Sequence, residues 1–210
     1  MLLLGHTGIT LGLTIAVGQI LSKKHSPLKA DGTQRPQEKR GDISSTVLEK
    51  MPAWLAVLHP YADLRLLLVG SLLPDIIDKP VGLYFLRDTF GNGRIFSHTL
   101  LFLLAVVVSG LWLLRKRRKT WLLVLAYGTF THLVFDRMWL SPPILFWPIY
   151  GFGFPRRDVS HWLEESFLSL LTVPEVYIPE IIGAAVFTWL LVDLTRRRLL
   201  LPFVRNNFQE

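Results

Sequence analysis

Six side chains of the types that bind divalent metal ions lie at the ends of the apolar segments of this chain. They are three histidines and three aspartates, namely His6, Asp75, Asp78, His98, His132 and Asp136. The chain has no cysteine, so a metal ion would be bound by imidazole and carboxylate groups rather than by thiolates. Such an ion can lower the pKa of a water molecule and polarise a phosphoryl or carbonyl oxygen, which is the chemistry of metal-dependent hydrolysis.

His132 and Asp136 are four residues apart, which places both side chains on one face of a helix, within reach of one cation. The surrounding segment, 122–135, is largely apolar. A carboxylate in or near hydrocarbon is costly without a partner, so a metal-binding role is favoured. The alternative is a helix-end aspartate in the lipid headgroup layer, paired with Arg137 or another base.

Asp75 and Asp78 follow Pro74, and we predict that they lie just past the end of a helix. Two carboxylates at this spacing can share one metal ion or bridge two. Asp78 is also a candidate to accept the proton of the attacking water. The alternative for both residues is a solvated helix cap.

His98 opens an apolar segment, and Arg94 lies shortly before it. We predict that His98 is a metal ligand and that Arg94 takes part in catalysis by binding a phosphate oxygen. The alternatives are an interfacial histidine and an arginine that anchors the segment at the membrane surface. His6 lies between Gly5 and Gly8, which permit close backbone approach, and it could bind the same ion or a second one.

His161 and Glu165 repeat the four-residue spacing in the polar segment that follows, close to Arg156 and Arg157. Glu165 is a second candidate for the proton acceptor, and the two arginines are predicted to help Arg94 bind an anionic headgroup. The alternative is the polar face of a helix that lies at the membrane interface.

Half of the 210 residues are hydrophobic, and the mean hydropathy is +0.38. The apolar residues form long blocks, which predict an all-α, polytopic membrane bundle of about five transmembrane helices in a single domain, 1–210. The predicted spans are 2–21, 53–77, 95–114, 120–140 and 181–194. A flexible hydrophilic loop is predicted at 22–52 and a helical segment near 159–171.

Lysine and arginine residues are concentrated on one side of the predicted spans, with sixteen in the loop 22–52, the stretch 115–119 and the tail from 196, against six on the other side. The positive-inside rule then places the N-terminus outside, the C-terminus in the cytoplasm, and the six candidate ligands at the outer face. The net charge of +7 is clustered beside apolar segments, which favours anionic lipid headgroups over nucleic acid.

Several of these motifs together resemble one family, the bacterial inner-membrane metal-dependent hydrolases described as LexA-regulated or YdjM-like. The matching residues, all within 1–136, are Gly5-His6, Leu73-Pro74-Asp75-Ile76-Ile77-Asp78, Arg94, Ser97-His98-Thr99, Thr131-His132-Leu133 and Asp136. The family commonly has histidine where this chain has Lys79 and Gly93, which leaves the number of metal ions open. The order of the ligands is also distantly similar to that of zinc-dependent phospholipase C and the P1-type nucleases, which implies phosphoester hydrolysis.

The sequence therefore predicts a membrane hydrolase that uses zinc, or else manganese, to cleave a phosphoester of a phospholipid or polyprenyl phosphate at the outer face of the inner membrane. A different class is a metal-binding membrane protein without catalysis, such as a transporter or an assembly factor. A third is a structural protein in which the histidines and acids pair with one another without metal. Bound metal separates the third class from the first two, because a metal ion stabilises the folded state that binds it.

Overall fold

The computed structural model describes residues 3–24, 63–156 and 158–198. Within these ranges there are helices, turns and loops but no strand, so the all-α prediction is confirmed. The longer helices are α1 (Leu3–Lys24), α2 (Leu64–Pro80), α3 (Leu100–Arg117), α4 (Trp121–Phe135), α5 (Trp162–Thr172) and α6 (Pro174–Arg196). Residues 25–52 of the predicted loop, residues 53–62 of the second predicted span, and Arg157 lie outside the described residues.

The observed helices differ from the predicted segments mainly at their ends. Helix α3 begins five residues later than predicted, because the Thr99 side chain accepts the Phe102 N–H and caps the helix, while Phe96–His98 form a 3₁₀ turn. Helix α4 ends at Phe135, two residues before Arg137 adopts a left-handed conformation. These two helix ends place His98 and His132 beside each other.

The prediction that Asp75 and Asp78 lie just past the end of a helix was wrong. Both lie within α2, which continues through Pro74 to Pro80. Proline lacks the N–H that would bond to the carbonyl group of Gly70. The Thr129 hydroxyl of α4 approaches that carbonyl oxygen at 3.4 Å, and the Ser97 hydroxyl donates to the Pro74 carbonyl group. The Thr129 hydroxyl thus takes part of the role of the missing N–H, while the Ser97 bond ties the turn before α3 to α2. The helix carries both aspartates towards α3 and α4.

The helices pack in pairs through glycine residues. A Cβ atom on Gly8 of α1 would lie 2.2 Å from the Cα of Gly183 in α6, and one on Gly128 of α4 would lie 2.6 Å from the backbone of Gly70 in α2. Such contacts between small residues let helix backbones approach closely, which is typical of helices packed within membranes. The first contact joins α1 to α6, and the second joins α2 to α4.

Substituting Gly8 with alanine is expected to destabilise the protein by roughly 1–3 kcal/mol, because the new methyl group overlaps the backbone of α6. Gly12→Ala is the matched control on the same helix, since its Cβ would contact Val186 at an ordinary 3.6 Å. We expect Gly12→Ala to be neutral or stabilising by up to about 1 kcal/mol, from the higher helix propensity of alanine. Unfolding of both variants in detergent, followed by circular dichroism, measures the difference. Equal stabilities would contradict the predicted close contact.

One buried cluster of apolar residues joins four helices, and its members are Leu11, Ile15, Leu64, Leu67, Val124, Leu190 and Leu194. In the part of the chain that the structure describes, α6 is the one helix long and apolar enough to cross a membrane, while the apolar stretch Leu4–Ile20 and α4 are shorter. The five-span arrangement and its orientation are therefore not confirmed and stay predictions.

Candidate metal centre

The candidate ligands meet at one end of the helix bundle. The first turns of α1, the last turns of α2 and α4, and the 3₁₀ turn before α3 all contribute side chains there. The side chains brought together are His6, Asp75, Asp78, His98, His132 and Asp136. The three histidines and Asp78 are completely buried.

Four potential ligand atoms of this group surround one point. The Nε2 atoms of His98 and His132 are 3.2 Å apart. Asp75 Oδ1 lies 3.6 and 3.9 Å from these two nitrogens, and Asp136 Oδ2 lies 3.8 and 4.0 Å from them. Two ligands of one tetrahedral zinc ion, at the usual bond lengths, are roughly 3.3–3.6 Å apart. The ligand atoms of His98, His132 and Asp136 lie within 4.8 Å of one another, as do those of His6, Asp75 and His132, so each set could hold a divalent cation after a small inward movement of the carboxylates.

Hydrogen bonds on the far side of each imidazole fix which nitrogen faces this point. His132 Nδ1 lies 2.6 Å from the Ser71 carbonyl oxygen, which can only accept, and His98 Nδ1 lies 2.7 Å from the carboxylate of Asp78. Each Nδ1 therefore carries a proton, and in the neutral ring Nε2 has a lone pair. Two lone pairs facing each other at 3.2 Å, with two carboxylate oxygens beside them, repel unless a metal ion or a proton is shared between the two nitrogens. The donor set thus fits a metal ion on its own chemistry.

Asp78 was predicted as a metal ligand and as a proton acceptor, but its carboxylate is fully engaged elsewhere. It accepts the backbone N–H groups of Ile95, Ser97 and His98 at 2.7–3.2 Å, in addition to the imidazole of His98. These bonds attach the 3₁₀ turn before α3 to α2. Asp78 is therefore placed to orient His98 and not to face the central point.

Cationic side chains pair with the two central carboxylates, Lys79 through Asp75 Oδ2 and Arg94 through Asp136 Oδ2, which is also the oxygen nearest His98 and His132. Lys79 Nζ lies 2.7 Å from Asp75 Oδ2, and Arg94 Nε lies 2.8 Å from Asp136 Oδ2. Lys79, where the family commonly has histidine, is thus an ion-pair partner of a candidate ligand. The positive charges offset part of the negative charge that Asp75, Asp78 and Asp136 would otherwise concentrate.

His6 occupies a distinct position beside the central four atoms. Its ring stacks on that of His132, with centroids 4.1 Å apart and an interplanar angle of 18°. Its Nε2 is 3.1 Å from Asp136 Oδ1, but neither ring nitrogen makes an aligned hydrogen bond within the described part of the chain. A buried imidazole nitrogen without a partner is costly, which makes His6 a further candidate ligand.

Two open clefts flank the candidate centre. One, of about 380 Å³, has a mixed lining whose polar members include Lys79, Asn92, Arg94 and Glu165, and we call it the polar cleft. The other, of about 340 Å³, runs between the end of α4 and the start of α6. Apart from Asp136, Arg137 and Glu175, its lining is apolar: Phe135, Pro174, Val176, Ile178 and Pro179. The Arg94–Asp136 ion pair therefore contributes one residue to each cleft.

The residues predicted to act from the segment around His161 are only partly brought to this region. Glu165 lines the polar cleft, whereas His161 pairs with Glu164 at 3.2 Å at an exposed site. Arg156 donates through Nε to the Thr89 carbonyl group, and Arg157 lies outside the described residues. The polar cleft thus contains Glu165 and Arg94, but Arg156 contacts a different loop.

Two acidic residues near the candidate metal centre and the polar cleft were not identified from the sequence. Glu180 of α6 is buried and accepts the Leu4 N–H at the first turn of α1, two residues before His6. Asp158 lines the polar cleft, where the hydroxyl and backbone N–H of Ser160 donate to it and hold its pKa below its usual range. A glutamate in an apolar helix was a usable signal for Glu180. No local pattern marked Asp158.

A family model described as YdjM inner membrane protein matches residues 1–204 of the chain. The predicted resemblance is confirmed, and it extends well beyond 1–136, the part in which the motifs were recognised. No curated protein and no solved structure matches the chain. The family description places its members in the inner membrane.

Proposed function

We propose a function for this chain, which belongs to the YdjM inner membrane protein family. It is a membrane-bound, metal-dependent hydrolase that cleaves a phosphoester of a phospholipid or polyprenyl phosphate. The observation that carries the proposal is the group of potential ligand atoms formed by the facing Nε2 atoms of His98 and His132, with Asp75 Oδ1 and Asp136 Oδ2 beside them. We assign the metal site to these four residues.

A divalent cation held there would polarise a phosphoryl oxygen and lower the pKa of the attacking water. The ligands are imidazole and carboxylate, a set that suits zinc and also manganese. Asp78 and the Ser71 carbonyl group keep the two imidazoles in the required tautomer and orientation. Asp78 therefore acts as a positioning residue, and Glu165 is the better candidate for the proton acceptor.

The two clefts support a substrate with a charged and an apolar part. Lys79 and Arg94 line the polar cleft and have cationic groups that can bind phosphate oxygens. The apolar cleft begins at Asp136 and offers Phe135, Ile178 and other apolar side chains to a hydrocarbon chain. A lipid whose phosphate lies at the Arg94–Asp136 pair would place its headgroup and its tail in different clefts.

Hydrolysis of defined phospholipids and polyprenyl phosphates by detergent-purified protein tests this proposal. We expect metal-dependent release of a phosphorylated product or of phosphate. Arg94→Ala should lower the rate by about 10²–10³-fold, because it removes a fixed cationic donor to the reacting phosphoryl group. Glu165→Gln should lower it by about 10²–10⁴-fold if Glu165 accepts the proton.

Arg117→Ala is the matched control, since Arg117 is exposed in the last turn of α3, at the opposite end of the bundle. It should keep the rate of the unsubstituted protein. Full activity and metal content in alanine variants of His98, His132 and Asp136 would refute the proposal. Stoichiometric metal without hydrolysis of any lipid class would instead favour a metal-binding membrane protein without catalysis.

A further inference from the structure

We infer that His6 and the Oδ1 atom of Asp136 bind a second divalent cation next to the first. The inference rests on the proposed function, because it assumes that the first cation is bound by His98, His132, Asp75 and Asp136. It decides between the two roles that the sequence left open for His6, namely a further ligand of one ion or a ligand of another.

The first observation is the environment of the His6 ring. It is completely buried, and its Nδ1 has no polar partner among the residues that the structure describes, while Nε2 pairs only with Asp136. The other two histidines of the centre have a partner on Nδ1. Its Nε2 lies 3.1 Å from Asp136 Oδ1, close to the separation of roughly 2.9–3.4 Å expected for two ligands of one ion at bond lengths near 2.1 Å.

The two oxygens of Asp136 face different neighbours. Oδ1 is next to His6, whereas Oδ2 is nearer to His98, His132 and Arg94. A carboxylate with this arrangement can bridge two cations, one on each oxygen. Asp75 supplies a third donor, because its carboxylate lies within 4.8 Å of ligand atoms of both His6 and His132.

The stacking of two imidazoles argues against one shared ion. A histidine binds a metal ion in the plane of its ring, along the lone pair of the nitrogen. The rings of His6 and His132 are nearly parallel, with their centroids 4.1 Å apart. An ion in the plane of one ring is therefore displaced from the plane of the other. The displacement is comparable to the spacing of about 3.5–4 Å between the ions of two-metal hydrolytic sites.

The charges of the cluster indicate what accompanies the second ion. Asp75, Asp78 and Asp136 carry three negative charges, while Lys79 and Arg94 carry two positive ones. One divalent ion leaves the cluster slightly positive, and a second leaves it strongly positive in a buried site. An anion must compensate this excess, so the second ion should bind together with a phosphate group such as that of the substrate.

The test is a titration of metal-depleted, full-length protein in detergent with Mn²⁺, with and without inorganic phosphate. Bound ions are counted, and electron paramagnetic resonance shows whether they are spin-coupled. We expect two coupled ions per chain with phosphate present, and a second-ion affinity that phosphate raises by about 5–150-fold. His6→Ala and His6→Gln should each bind one uncoupled ion, whereas the exposed control His161→Ala should bind two.

Each other outcome has a distinct meaning. One ion per chain in the unsubstituted protein, with phosphate present, would overturn the second site while leaving the proposed hydrolase intact. Two ions retained in both His6 variants would overturn the assignment of His6. Absence of any bound ion in the unsubstituted protein would overturn the proposed function itself. Two variants are used so that a folding defect of one does not decide the result.

Discussion

Replacing His132 with alanine is expected to weaken binding of the first metal ion by more than roughly 100-fold. Mutating a residue that only supports a ligand already costs up to about 100-fold, and loss of a ligand itself should cost more. The reason is the position of Nε2, which faces the corresponding atom of His98 at 3.2 Å while Nδ1 is held by the Ser71 carbonyl group. No other imidazole within the described ranges can take its place without breaking these contacts. Hydrolysis should be lost with the ion.

Elemental analysis of the purified variant, beside His161→Ala, measures this effect. His161 is two-thirds exposed and pairs only with a neighbouring exposed glutamate, so its removal should leave the metal content unchanged. Equal metal content in the two variants would show that His132 is not a ligand. Absence of metal from the unsubstituted protein, even after reconstitution, would leave a structural network of histidines and acids.

Replacing Asp78 with alanine is expected to lower the free energy of unfolding by about 3–5 kcal/mol, as removal of one partner from a buried charged network does. The substitution leaves three backbone N–H groups, on Ile95, Ser97 and His98, buried without their acceptor. It also frees the 3₁₀ turn that carries His98. The effect should be far larger than that of Asp158→Ala, an exposed aspartate of the polar cleft, which should stay within about 0.5 kcal/mol.

A chelator separates this positioning role from metal binding. The bonds of Asp78 are to the protein itself, so Asp78→Ala should remain strongly destabilised relative to the unsubstituted protein when metal is removed. Asp75→Asn keeps its shape and loses, besides the ligand charge, only the partly exposed ion pair with Lys79, so most of its stability deficit should disappear in chelator, where neither protein binds metal. Comparing thermal unfolding of both variants with and without chelator decides the assignment. If the two responded alike, Asp78 would be a metal ligand.

The helical class and most helix positions could be predicted because they depend on local patterns. Long apolar blocks and terminal signals such as the basic stretch after α3 are properties of neighbouring residues. The prediction was wrong where a distant contact overrode a local signal. Pro74 is a local signal for a helix end, yet α2 continues through it, and Thr129 of α4 approaches the Gly70 carbonyl group that the proline leaves without a donor.

The candidate ligands could likewise be predicted from the sequence, because few side chains bind divalent ions and ionisable groups are rare in apolar segments. Their roles were not. Asp75 and Asp78 are chemically identical and three residues apart, so no sequence pattern separates the one beside Nε2 of His98 from the one bound to Nδ1. The distinction depends on a turn that lies about twenty residues further along the chain.

By itself, then, the sequence determined the helices, the family and the residue types available for metal binding, since each is encoded in local composition and spacing. Only the tertiary structure decided that Asp78 orients a histidine, that Lys79 and Arg94 pair with the central carboxylates, and that His6 stacks on His132. The physical reason is that these roles depend on which atom of each side chain faces which neighbour. The orientation of these side chains is set by the packing of α1, α2, α3 and α4 around one point, and not by any one segment.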